Sequence, residues 1–160
     1  MSSLPHPEHV LFQGEKPFPV LPAVDHYAGS EKLMRKALAL QEELGPVFDI
    51  TCDCEDGAHA GAEAEHAEMA AALVLSDDNR FGRVGARIHD ITHPHWEQDV
   101  EILVSRAGNR LAFLTIPKPR SVADAARQIE SIRSAEERHG VERAIPVHVL
   151  IETHGALRDA

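Results

Sequence analysis

Three carboxylates crowd into four positions of the stretch FDITCDCEDGAHAG (48–61): Asp53, Glu55 and Asp56, with Cys52 and Cys54 interleaved. Such a cluster repels itself unless something positive stands beside it. The chain offers two cations in comparable settings, Arg87 in RVGARIHD (83–90) and Lys118 in LAFLTIPKP (111–119). A further acid, Glu152, closes IPVHVLIET (145–153). Brought together, these groups could grip a substrate carboxylate with a planar arginine fork or hold an oxygen-preferring divalent cation. They could also stabilise negative charge developing on a substrate oxygen.

Each of these residues ends a short apolar run, and the runs recur with helical segments between them. The runs are PVLPA (19–23) and the four stretches around the acids and bases just named. A helix is expected from Ser30, an N-cap, with Leu33, Ala37, Leu40 and Leu44 on one stripe and Gly45 as its stop. Another is the Ala-rich stretch from about Glu63 to Leu75, and a third runs from about His95 to Ala107. The fourth opens at Ser121 with Asp124 as a weaker capping box, carries Val122, Ala125, Ile129 and Ile132, and stops at Gly140. Strand–helix alternation at a period of roughly 30 residues marks βα units with parallel strands. The first run is followed by LPAVDHYAGS, which lacks a G-x-G-x-x-G phosphate loop. That weighs against a dinucleotide-binding sheet.

Alternation within the runs sorts their residues by face. Phe48, Ile50, Cys52 and Cys54 share one side of a strand, and Asp49, Thr51, Asp53 and Glu55 the other. The cysteines therefore read as small core residues under helices, and Asp53 as a support for the strand end. Arg83, Gly85, Arg87 and His89 alternate against Val84, Ala86 and Ile88, and His148, Leu150 and Glu152 against Val147, Val149 and Ile151. Three of the strands thus aim Glu55, Arg87 and Glu152 toward one mouth at the strands' C-terminal ends, where barrel active sites are built. His26 and Tyr27 follow the first run and are expected to line that mouth. In HDITHPH, Pro94 breaks any helical i, i+4 arrangement of His89, His93 and His95, so these read as solvated loop histidines rather than a zinc set.

Composition narrows the partners. The 160 residues carry a formal charge of −10 with 4% aromatics, which argues against a nucleic-acid surface or a base-stacking platform. No apolar run approaches the ~20 residues of a membrane span, and no signal peptide opens the chain, so a cytoplasmic location is expected. Residues 1–18 are Pro-rich and aperiodic and read as an N-terminal arm; their VLFQG resembles a protease cleavage site but is read as native.

These motifs, in this order, resemble the citrate-lyase β-subunit-like branch of the HpcH/HpaI aldolase superfamily, whose members cleave carbon–carbon bonds in acyl-CoA esters. VLPAVDHYAGSEKLMRKAL is similar to the family's first strand and helix, and DCEDGA to its D-L-E-D-A-V strand end. ARIH stands where the family has V-R-I-N, HWEQDVEIL where it has a loop and helix with Trp and Asp, IPKP where it has P-K-V, and IETHGAL where it has I-E-T. The resemblance covers about residues 19 to 160. It implies a (β/α)8 TIM barrel of which this chain supplies about the first five strands, assembled into homo-oligomeric trimers or hexamers. It implies Mg²⁺, or Mn²⁺ in its place, held by Glu152 and by a second carboxylate beyond Ala160. Arg87 becomes the substrate clamp, with Glu55 and Asp56 beside it as catalytic acids near the metal's waters. Lys118 and His26 become further substrate contacts, and the substrate an acyl-CoA or a small dicarboxylic acid.

Some positions depart from the family. His89 replaces Asn, Gly57-Ala58 replace Ala-Val, and the helix after the acids lacks the usual Lys and Ala-Arg pair. The leading expectation is a lyase acting on a malyl-, citramalyl- or citryl-type CoA ester. A metal-dependent pyruvate aldolase is the alternative within the superfamily, with Asp56 standing where that branch has a His base. A non-catalytic acyl-CoA-binding relative is the alternative outside catalysis. Five strands alone would leave two open edges, so this chain by itself is expected to self-associate.

Overall fold

The computed structural model describes residues 24–159. Five strands and five helices alternate: β1 (Asp25–Ala28), α1 (Glu31–Leu44), β2 (Asp49–Asp53), α2 (Glu63–Leu75), β3 (Val84–Arg87), α3 (Trp96–Ala107), β4 (Leu114–Ile116), α4 (Val122–His139), β5 (Val147–Val149) and α5 (His154–Asp159). Every strand pairs in parallel with the next, giving the order β1-β2-β3-β4-β5. A doubly wound sheet reverses its strand order at a switch point. This sheet does not, and its progressive winding is consistent with part of a TIM-barrel-like fold.

Helices α1 and α4 are capped at their N-termini as the sequence dictates. Ser30 accepts the Leu33 N–H at 3.4 Å. Ser121 accepts the Asp124 N–H at 3.2 Å, and the Asp124 carboxylate reaches back to the Arg120 N–H at 3.0 Å, so the box closes one residue further out than a regular one. Gly140 ends α4 in the left-handed region at φ 63°, a conformation glycine reaches without a Cβ penalty.

Three expectations change. The run 19–23 and the arm 1–18 lie outside the described residues, and the first described strand is Asp25–Ala28. His26 and Tyr27 therefore belong to a strand rather than to the loop after one. In α1 the buried stripe is Met34, Ala37, Leu38 and Gln41, whereas Leu33, Leu40 and Leu44 are exposed. Gln41 takes an inward place because its Nε2 donates to the Phe48 carbonyl at 2.6 Å, satisfying both groups at the start of β2. In α4, Val122 is exposed while Ile132 and Ala135 carry the contact with the core.

The core lies between one face of the sheet and the helices. Ile50, Cys52, Cys54, Val84, Ala86, Ile88, Leu114 and Ile116 all come from the strands and their extensions and are essentially inaccessible. Ala67, Ala70 and Ala71 of α2 are equally buried, and these small side chains let α2 lie close against α3. Burial pushes the Cys52 thiol up to about 12 and Cys54 well above its ordinary value, so both behave as inert packing groups. No described helix is long and apolar enough to cross a membrane. The other sheet face is polar, and its C-terminal edge carries the charged residues singled out above.

Candidate active site

Register places the site. Asp53 of β2 stands directly across from Arg87 of β3, and the pairing is bidentate, Arg87 Nε to Oδ1 at 2.8 Å and Nη2 to Oδ2 at 2.7 Å. Asp53 Oδ1 also accepts the N–H groups of Glu55 (3.1 Å) and Asp56 (3.4 Å), which turns the chain sharply just past the strand. That turn swings both acids back over the arginine. Arg87 Nη1 meets Glu55 Oε2 at 2.8 Å, and Nη2 meets Asp56 Oδ2 at 2.8 Å. From the end of β4, Lys118 Nζ reaches Glu55 Oε1 at 2.8 Å. The Tyr27 ring lies 5.1 Å from the guanidinium carbon and supplies a cation–π contact.

Glycine is required where the turn closes. A Cβ on Gly57 would fall 2.2 Å from the Asp53 carbonyl oxygen and 2.4 Å from that of Gly29. The acids are thus folded against the end of β1 by a residue that admits no side chain.

Three carboxylates face two cations, so the cluster retains one unit of negative charge when all are ionised. Burial raises the Glu55 carboxyl above its usual range although Lys118 and Arg87 pull it down. Burial would also lower Arg87, but Asp53, Glu55 and Asp56 outweigh it and hold the guanidinium charged above its ordinary value. Lys118 is raised chiefly by its bond to Glu55. Asp53, Glu55 and Arg87 are nearly sealed, with side chains 8%, 6% and 11% exposed, whereas Asp56 is 67% exposed. Asp56 is the one member of the cluster held mainly in water.

Lys118 carries the only positive φ of a non-glycine among the described residues, 48°. Such a conformation costs about 1 kcal/mol or more and persists where surrounding bonds enforce it. Here the side chain is drawn to Glu55, while the backbone N–H donates to Glu152 Oε1 at 3.0 Å. Glu152 is exposed and lines a cleft of about 350 Å³ with Asp90, Thr92, Lys118, Arg120 and Thr153. Glu55, Arg87 and Lys118 are therefore brought into one constellation, and Glu152 joins it through the Lys118 backbone rather than through the arginine. Among the described residues no three His, Cys, Asp or Glu side chains converge as a metal-ligand set.

His26 is not brought to this edge. Strand alternation sends it to the opposite face from Tyr27, where its ring meets Phe48 edge-on at 6.2 Å and lines an apolar hollow with Val24, Leu40 and Val47. Its expected place at the mouth is corrected, and Tyr27 occupies that place. The histidines of 89–95 are not simply solvated either. His89 is 4% exposed, its Nδ1 lies 2.6 Å from Asp99 Oδ2, and its ring stacks on His93 at 4.0 Å. Asp99, in the first turn of α3 and 1% exposed, went unassigned in the sequence. The signal for it was an acid placed ten residues after His89 in a helix that buries its Asp-bearing face.

No family model and no curated protein matches this chain. Among solved structures it is similar to a citrate lyase from Burkholderia xenovorans LB400, with 56% identity and a TM-score of 0.83. The match covers 87% of this chain and 43% of that one, so the chain spans less than half the length of the protein it matches. The likeness supports a citrate-lyase-like family.

Proposed function

We propose that the full-length protein is a carbon–carbon lyase that splits a short β-hydroxyacyl-CoA of the malyl, citramalyl or citryl type into a CoA thioester and a 2-oxo acid. The observation that carries this reading is the 56% identity to a citrate lyase over a segment whose strand ends converge on Arg87, Glu55 and Lys118. With it go an eight-stranded barrel, a cytoplasmic homo-oligomer and an acyl-CoA or dicarboxylate ligand. Val122, Ile151 and Leu157, exposed beside β5, are the apolar surface that further barrel elements would cover.

In this reading Arg87 grips the substrate's carboxylate. Its nitrogens are already engaged, and Asp56 is the partner most easily exchanged, being the exposed one. A substrate carboxylate that takes the Asp56 position on Nη2 keeps the bidentate hold on Asp53 intact and costs no buried pair. Glu55 and Lys118 fix the rim of the mouth and set its local charge. Glu152 is the residue that would hold Mg²⁺ or Mn²⁺. A carboxylate oxygen suits such an ion, and the described residues supply this one donor without gathering a full set. When bound, the ion supplies positive charge beside an oxygen that becomes negative.

The test is incubation of the full-length protein with a panel of β-hydroxyacyl-CoA esters, products being separated by chromatography with and without EDTA. Release of a CoA thioester and a 2-oxo acid, stopped by EDTA, is the expected result. Cleavage of free 4-hydroxy-2-oxo acids with no turnover of any thioester would move the protein to the pyruvate-aldolase class.

A further inference from the structure

Two loops at the C-terminal edge of the sheet are fastened to each other residue by residue. Segment 118–120 follows β4, and segment 152–155 follows β5. Glu152 Oε1 accepts the Lys118 N–H at 3.0 Å. The Thr153 hydroxyl donates to the Pro119 carbonyl and accepts the Ala156 N–H at 3.1 Å. At Gly155 the chains come so close that a Cβ would fall 2.0 Å from the Arg120 carbonyl oxygen. Three consecutive residues are gripped through their backbones. Joining two loops requires no unusual conformation, but Lys118 has φ 48°. It also precedes Pro119, whose ring pushes the residue before it towards extended backbone.

Strand alternation shows what this conformation achieves. Thr115 pairs in register with Arg87 and shares its face, whereas Leu114 and Ile116 belong to the apolar core. Continued in extended form, β4 would send Lys118 to the side of Ile116, away from the mouth. Its Nζ instead lies 2.8 Å from Glu55 Oε1, beside Arg87. The left-handed residue turns the side chain back over the sheet edge.

We propose that segment 152–155 is a clamp that enforces the turn at Lys118, with Thr153 a positioning residue for the ammonium at the mouth. An ammonium has three N–H donors. One goes to Glu55, and the side chain is 45% exposed, so two remain for an incoming anionic oxygen. The proposal rests on the lyase reading for the identity of that ligand, the thioester substrate. Glu152 serves the clamp through Oε1 and keeps Oε2 for the cation it would hold. Thr153 is the cleaner place to cut, because its hydroxyl bonds only backbone. Glu55 holds the Lys118 ammonium above its ordinary value, with Asp56 adding and Arg87 opposing. The titration of Lys118 therefore reports whether the ammonium is in place.

The experiment is a double-mutant cycle in the full-length protein, joined to an NMR titration of its lysine amines. The Lys118 signal is the one missing from Lys118→Arg. Lys118→Ala should raise KM for the cleaved thioester about 10–100-fold, as loss of one charge-assisted hydrogen bond does. Thr153→Val should raise it at least about 3-fold, and Thr153→Ser, which keeps the hydroxyl, should stay within about 2-fold of wild type. A residue acting through Lys118 has nothing left to act on once the ammonium is gone, so the double variant should match Lys118→Ala. Lys118 should titrate above the ordinary ~10.4 of lysine in wild type and fall towards it in Thr153→Val. Thr153→Ala takes the place of Thr153→Val if the latter does not fold. Effects that multiply in the double variant would make Thr153 an independent structural residue and overturn the proposal. A wild-type Lys118 at the ordinary value, or one unmoved by loss of the hydroxyl, would overturn it too. If no thioester is cleaved, the lyase reading fails, and the titration decides the clamp by itself.

Discussion

Arg83 and Arg87 stand four residues apart on β3 and its approach, and each reaches across to an aspartate of β2, Asp49 and Asp53. Both pairs come from the same two strands in the same register. At the N-terminal edge the contact is a single one, Arg83 Nη1 to Asp49 Oδ1 at 3.2 Å, with side chains 31% and 21% exposed. At the C-terminal edge it is bidentate, nearly sealed, shared with two more carboxylates and backed by an aromatic face. Identical chemistry thus yields a partly solvated cross-strand pair at one end and a built constellation at the other. The difference comes from the turn after Asp53. Glu55, Asp56 and Gly57 fold back over the upper arginine, and among the described residues no such turn covers the lower one.

The largest expected effect is at Arg87. Arg87→Ala would leave Asp53 and Glu55 buried without their main partner, and should cost about 3–5 kcal/mol in urea unfolding. Arg87→Lys keeps the charge but offers no planar fork, so kcat/KM on the thioester should fall at least ~10²-fold. Three carboxylates cannot share one ammonium as they share the guanidinium, so Arg87→Lys should also lose stability, by less than the alanine variant. Equal stability of Arg87→Ala and wild type would erase the contrast between the two ends.

Through the sheet from these pairs lies the apolar face of the described strands, which extends the comparison to the two sides of β2. Cys54→Ser puts a hydroxyl where the thiol is inaccessible, and should cost about 1–3 kcal/mol if it finds no partner. The raised thiols should resist a disulfide reagent at pH 8 and react only on unfolding. Rapid labelling of the native protein would show that this face opens.

The sequence made much of this legible, for identifiable reasons. Period-two alternation separated Ile50, Cys52 and Cys54 from Thr51, Asp53 and Glu55, and the parallel βα winding followed from the spacing of runs and caps. Positive partners for the acids were demanded by charge alone, and Arg87 and Lys118 are those partners. The run PVLPA lies outside the described residues, and Asp-His-Tyr-Ala went unread as a strand because its polar residues are satisfied laterally, Asp25 by the Thr51 hydroxyl at 2.7 Å. The α1 stripe was misread because Leu33, Leu40 and Leu44 are more apolar than Gln41, and only the Phe48 carbonyl explains a buried glutamine. Asp99 stayed hidden because its partner lies on another element. The left-handed turn at Lys118 has no local sequence signal.

Glu55 gives a smaller effect with a definite sign. Burial raises its carboxyl, so the folded state holds that proton more tightly than the unfolded chain does. The group therefore favours folding in acid, and its contribution is withdrawn as pH rises from the ordinary carboxylate range through the raised value. Glu55→Gln removes that withdrawal. Measured against wild type, its urea midpoint should improve as pH rises from about 4 through the raised value, and level off above it. A wild-type advantage that grows with pH would mean that Arg87 and Lys118 dominate the carboxylate's burial.

The smallest effect belongs to the lower arginine, and it tests the contrast from the other side. Arg83 and Asp49 are both reached by solvent, so each can recover hydration when its partner is removed. A pair of this kind is worth about 0.2–1 kcal/mol. Arg83→Ala should therefore cost no more than about 1 kcal/mol and leave kcat/KM on the thioester unchanged, since no residue of the mouth touches it. Its salt dependence should also differ. Raising ionic strength to about 1 M shortens the screening length to about 3 Å, which should shrink the Arg83→Ala cost towards zero. The Arg87→Ala cost should largely persist, because two of its partners, Asp53 and Glu55, are nearly sealed from water and ions. If Arg83→Ala proved as costly as Arg87→Ala, or as indifferent to salt, the fold-back turn would not be what sets the two ends apart.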